Sequence, residues 1–138
     1  MEARVKWVED LTFMAESPSG HTILLSAGAN NGGKDSCLRP MELLLLGVGG
    51  CASIDVVSIL KKARQAISDC EVSVTAERFD GVPGYFTKIH SHFTVTGTSL
   101  SDKQVKRAVD LSFEKYCSAS FMLREKAEIT WDFEIKEA

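Results

Sequence analysis

The chain has 138 residues, 44% of them hydrophobic and 25% charged, the balance of a single soluble globular domain over 1–138. A formal net charge of −3 offers no basic footprint for nucleic acid. The four cysteines lie far apart, without Cys-x-x-Cys or other zinc-like spacing and without a secretory leader pattern ahead of them. A cytoplasmic chain with structural or catalytic thiols is therefore expected, not a disulfide framework.

Ala3, Val5 and Trp7 alternate with Arg4 and Lys6, the pattern of a half-buried strand. Leu11, Phe13 and Ala15 continue it on a second strand, Ser17 to Gly20 turns the chain, and His21 to Ser26 gives a third. An antiparallel meander is expected. The loop from Gly28 to Asp35 approaches the phosphate-binding Gly-x-x-x-x-Gly-Lys-[Ser/Thr] pattern, but Asp35 stands where the magnesium-binding hydroxyl belongs. Pro40 also forbids a helix running on from Lys34, so a surface loop is the better account.

Pro40 suits the first turn of a helix, and Glu42 would face the positive end of its dipole. From Leu43 to Leu60 apolar residues occur on every side, which describes a wholly buried central helix. Its longest charge-free run, Leu43 to Ile54, has twelve residues and is too short to span a bilayer, so no membrane is expected. Gly47, Gly49 and Gly50 interrupt it, each costing about 0.5–1 kcal/mol relative to alanine. Such a cost predicts either a break or a close backbone approach. With a break, Cys51 would begin the second piece, where orphan N–H groups favour a reactive thiolate. The competing reading of Cys51 is a small buried hydrophobe.

Val72, Val74 and Ala76 share one strand face, Asp80 to Gly84 turns, and Ile89, Ser91, Phe93 and Val95 return on one face. His90 and His92 share the other face, as two metal ligands might, but no third ligand accompanies them and no metal is expected. Ser101 and Asp102 cap an amphipathic helix running to about Tyr116, with Val105, Ala108, Val109, Ser112 and Phe113 at helical spacing. Cys117 lies just past its end, while Cys37 and Cys70 sit at loop edges with no companions. The last strand alternates Ala127, Ile129, Trp131, Phe133 and Ile135 with polar residues. The order βββ-αα-ββ-α-β makes the fold α+β with a mainly antiparallel sheet. A single sheet covers only one side of the central helix, so a homodimer is expected to cover the other.

Two segments carry a family resemblance. Pro40-x-Glu42-Leu-Leu-Leu-x-x-x-Gly-Gly-Cys51 and Cys117-x-x-Ser120 resemble the OsmC/organic hydroperoxide resistance family, nearest its YhfA-like branch of small bacterial proteins. The similarity runs from Ala3-Arg-Val-Lys-Trp7 to Ala108-Val-Asp-Leu-Ser-x-Glu-Lys-Tyr-Cys-Ser118. It implies an intertwined homodimer with active sites at the interface, and a cysteine-based peroxidase needing no cofactor. Cys51 would align with the attacking cysteine, whose thiolate cleaves a hydroperoxide and becomes a sulfenic acid. Cys117 would align with the resolving cysteine that closes a disulfide, which an external dithiol then reduces. Leu43, Leu46, Val48 and Phe121 could line the approach of an organic hydroperoxide.

The sequence departs from the peroxidases in its activating residues. They carry glutamate directly after the proline, where this chain has Met41 and places Glu42 one residue later. They also carry an arginine on the early hairpin, and Glu16 to His21 contains none. Arg39 or Arg124 could supply the charge instead. Beside the peroxidase stand a non-catalytic small-molecule binding protein on the same dimer, and a thiol redox sensor that forms the disulfide without turnover.

Overall fold

The computed structural model describes residues 1–138, which divide into two compact units, Met1–Leu44 and Leu45–Ala138. The first unit is the expected meander. Strands β1 (Arg4–Glu9), β2 (Thr12–Glu16) and β3 (Thr22–Ser26) pair antiparallel in the order β1-β2-β3. β1 differs from the half-buried strand expected, because both of its faces are exposed. Val5, Trp7 and Val8 are thus left without a core in this chain. The glycine-rich loop is tied down by its own charges, Asp35 accepting from Arg39 Nε and Nη2 at 2.8 and 2.6 Å.

Helix α1 (Pro40–Lys62) runs unbroken through all three glycines. The expected break and pair of helices are therefore replaced by one helix, and Cys51 lies in its interior. Of the two ways to justify the glycines, the structure uses close approach, and only at Gly49. A Cβ there would stand 3.0 Å from Val74 Cγ2 and 3.3 Å from Val72 Cγ1. Gly47 and Gly50 have nothing within 4 Å. By length and composition α1 could cross a bilayer, contrary to the estimate from its charge-free run. Its Val48, Ala52, Val56 and Leu60 are instead fully buried in the core of the second unit.

That core is completed by β4 (Ala66–Arg78), β5 (Phe86–Thr98), α2 (Asp102–Leu111) and β6 (Glu128–Glu137). β4 and β5 pair antiparallel, but β6 joins β5 in parallel, from Lys88↔Glu128 to Gly97↔Glu137. The inner face of β5 buries Ile89, Ser91, Phe93 and Val95. Its outer face carries His90 and His92, whose ring nitrogens meet Thr130 and Asp132 of β6.

Ser101 caps α2 as expected, accepting from the Gln104 N–H. The helix ends at Leu111, earlier than the spacing suggested. Ser112 to Tyr116 forms a π turn closed by the Cys117 N–H on the Ser112 carbonyl at 2.7 Å, and a short α3 (Ser118–Leu123) follows. Phe113 in this turn stacks on Trp131 of β6 with centroids 4.7 Å apart. Trp131 also donates its indole N–H to Asp110 at 2.9 Å, so β6 holds the end of α2 and the turn beyond it.

Candidate active site

The two cysteines singled out by the sequence are brought together within the second unit. Cys117 is 2% exposed and precedes α3 as its N-cap, with Sγ 3.5 Å from the Ser120 N–H it accepts. On the other side its thiol points at the Val48 carbonyl of α1 at 3.9 Å. Burial pushes the Cys117 thiol above its ordinary value of 9.0; hydrogen bonds from Ser120 oppose the rise, and the adjoining Cys51 thiol adds to it. Cys51 is half-buried, and both are free thiols. The helix-start position expected of Cys51 therefore belongs to Cys117. Of the two thiols Cys117 is thus the more buried and Cys51 the more accessible.

Two residues that the sequence did not single out as functional lie close to this pair along the chain and are joined by a hydrogen bond. Ser112 is fully buried and donates to Asp55 Oδ2 at 3.0 Å, with the Ala52 carbonyl at 3.4 Å. Asp55 lies one helical turn beyond Cys51. The signals were present: Asp55 ends the charge-free run of α1, and Ser112 is a polar residue in an otherwise apolar helical stripe. From Asp55 a cavity of about 380 Å³ opens along Ser58 and Lys62, with Arg107, Leu111 and Tyr116 opposite.

The candidate activators and pocket residues are placed less simply. Glu42 stands 3.6 Å from Arg39 Nε and accepts from the Arg39 backbone N–H at 3.3 Å, closing the first turn of α1. Nine residues of unbroken helix make about 2.5 turns, so Glu42 leaves α1 on the side opposite Cys51. The Arg39 guanidinium is occupied by Asp35. Arg124 lies over the Phe121 ring, 4.1 Å from its centroid. Among the residues expected to line an approach, Val48 is fully buried beneath Cys117, Leu43 is half-buried, and Leu46 and Phe121 are exposed.

A family model described as OsmC-like protein matches residues 33–132, which takes in both cysteines. The chain belongs to the OsmC-like family. This OsmC-like chain is 54% identical to Protein YhfA of Escherichia coli K12 over 138 residues, covering all of both chains. Its fold matches a hypothetical protein from Aquifex aeolicus VF5 with TM-score 0.82 and 28% identity, over 98% of this chain and 96% of that one. It also matches an organic hydroperoxide resistance protein OsmC from Legionella pneumophila with TM-score 0.71 and 14% identity, over 96% and 95%, a likeness of fold alone. Within this chain α1 is buried on one side only, with Leu44, Leu46 and Ile54 exposed, so the wholly buried helix expected from the sequence is not formed by a single chain.

Proposed function

We propose that this OsmC-like protein is a cysteine-based peroxidase that reduces organic hydroperoxides, with Cys51 attacking and Cys117 resolving. The observation that supports it most is the buried Cys117 thiol held against the more accessible Cys51, in a family of redox proteins. The Cys51 thiolate takes the terminal oxygen of the hydroperoxide, the O–O bond breaks, and the alcohol leaves with a proton. Cys117 sulfur then displaces the sulfenic hydroxyl, giving a disulfide and water. An external dithiol restores both thiols by exchange. The sulfur atoms carry the electron pair themselves, so the cycle needs neither metal nor cofactor.

The acting form in this reading is a cytoplasmic homodimer. Exposed Leu46, Ile54, Phe121 and Met122 in the second unit and Val5, Trp7 and Ile23 in the first support a second copy as their cover. The thiol redox sensor is favoured by one observation, the capture of Arg39 by Asp35 and Glu42, which leaves that candidate activator engaged elsewhere.

Treatment with cumene hydroperoxide followed by non-reducing peptide mass spectrometry tests the scheme. A single Cys51–Cys117 disulfide is expected in the wild type. Cys117→Ser should leave Cys51 as sulfenic acid or carry it to sulfinic acid, and Cys51→Ser should abolish peroxide consumption. Cys37→Ser and Cys70→Ser should change little. Turnover with a dithiol separates peroxidase from sensor, and a Cys51 inert to every hydroperoxide would leave the binding protein as the account.

A further inference from the structure

The link between Asp55 and Cys117 runs through one buried serine. Ser112 Oγ donates to Asp55 on α1, and the carbonyl of the same residue receives the Cys117 N–H at 2.7 Å. That second bond spans five residues, so the turn holds one residue more than an α-helical turn would. Ser112 is thereby tied to α1 at Ala52 and Asp55, and Cys117 meets α1 at Val48. Cys51 lies between these two attachment levels. Nothing else in the π turn bonds its side chain to α1, since Phe113 turns to Phe93 and Trp131 and Lys115 lies over its neighbour Tyr116.

We propose that the Ser112–Asp55 hydrogen bond positions Cys117 for the second step, by fixing the height of the π turn on α1. Ser112 and Asp55 are positioning residues in this role and take no part in bond making. The proposal rests on the reading of Cys51 and Cys117 as a disulfide-forming pair. Disulfide geometry is narrow, with Cα atoms about 4.4–6.8 Å apart and a defined torsion, so a small slip of the turn along α1 slows closure strongly. The slip leaves the first step unchanged, because Cys51 sits on α1 itself.

The test is disulfide closure driven by diamide, which needs no hydroperoxide. Diamide adds to one thiol, the second thiol displaces it, and the disulfide forms as diamide leaves reduced to its hydrazine. Wild type, Asp55→Ala, Asp55→Asn and Ser112→Ala are compared by non-reducing mass spectrometry, with iodoacetamide alkylation of Cys51 timed in parallel. Asp55→Ala and Ser112→Ala should each slow closure about tenfold while alkylation of Cys51 stays within twofold. The double variant should be no slower than Ser112→Ala, because that substitution already removes the bond to Asp55. Asp55→Asn keeps an acceptor oxygen and should restore closure to within about threefold of wild type.

Asp55 is half-buried, so its variants report even where Ser112→Ala fails to fold. Wild-type closure rates in folded Asp55→Ala would overturn the positioning role and leave the thiol pair intact. Slowed closure in Asp55→Asn equal to that in Asp55→Ala would also overturn it. Failure of the wild type itself to close under diamide would sink the pair and the proposal with it. Closure under diamide without any response to hydroperoxide would sink only the peroxidase.

Discussion

Gly49→Ala sets two opposed effects against each other on α1. Alanine is favoured over glycine inside a helix by about 0.5–1 kcal/mol. The added methyl, however, would stand 3.0 Å from Val74 Cγ2 and 3.3 Å from Val72 Cγ1, both on a strand that cannot recede without its partners. Overpacking of that kind costs about 1–3 kcal/mol, so the net loss should be about 0.5–2 kcal/mol. Against a urea m-value of about 2 kcal/mol/M, a loss of about 1 kcal/mol lowers the midpoint by about 0.5 M. Gly47→Ala and Gly50→Ala are the controls, since nothing within this chain lies within 4 Å of either new methyl. In an isolated chain each should gain about 0.5–1 kcal/mol. In a homodimer that covers this side of α1 they should lose stability instead, and the loss should deepen on dilution. A Gly49→Ala protein as stable as the wild type would refute the packing argument.

Light scattering coupled to size exclusion should give about twice the chain mass of 15.1 kDa at low micromolar protein, and a clean monomer would remove the shared interface. Burial, and then the neighbouring Cys51, hold the Cys117 thiol above 9.0 in the fold, so the folded state keeps a proton that the unfolded chain releases. That contribution to stability is intact below pH 9.0 and is lost as pH rises through the higher folded value; reduced wild type should therefore weaken more steeply above pH 9.0 than Cys117→Ser. Closure of the disulfide should quicken across the same alkaline range as Cys117 ionises, and a flat closure rate from about pH 7 to 10 would contradict the assignment. Trp131→Phe keeps the stack on Phe113 but removes the indole N–H from Asp110, which retains only its ion pair with Lys106, so urea denaturation should show a loss of about 1 kcal/mol.

The antiparallel meander, the cap at Ser101, the nearness of Cys51 to Cys117 and the family were legible because each rests on local pattern or on a spaced motif. Period-2 alternation fixed β6 residue by residue, yet said nothing of its partner; a parallel neighbour looks the same from within the strand. The glycines of α1 misled about a break because their cost is visible in sequence and the partner that repays it, the Val72–Val74 ridge of β4, is not. The π turn was hidden for a similar reason. Ser112 and Phe113 keep helical spacing with Val109, and one extra residue in the turn changes no composition. Asp55 was passed over because a lone carboxylate near the middle of an apolar helix gains meaning only when its hydrogen-bond donor is known.

The parallel pairing of β6 has a consequence for the order of folding. β4 and β5 form a hairpin joined by a short turn, and such a pair closes early. β6 must wait, because it follows α2, the π turn and α3 in sequence and reaches β5 only across that long connection. Until it docks, the edge of β5 is open, Trp131 is not against Phe113, and Asp110 lacks the indole. A nascent chain therefore carries Cys51 on a helix it can already form, while the segment bearing Cys117 is not yet seated. A Cys51 modified at that stage would find no Cys117 seated beside it, because the last strand completes the support of the turn that leads into Cys117.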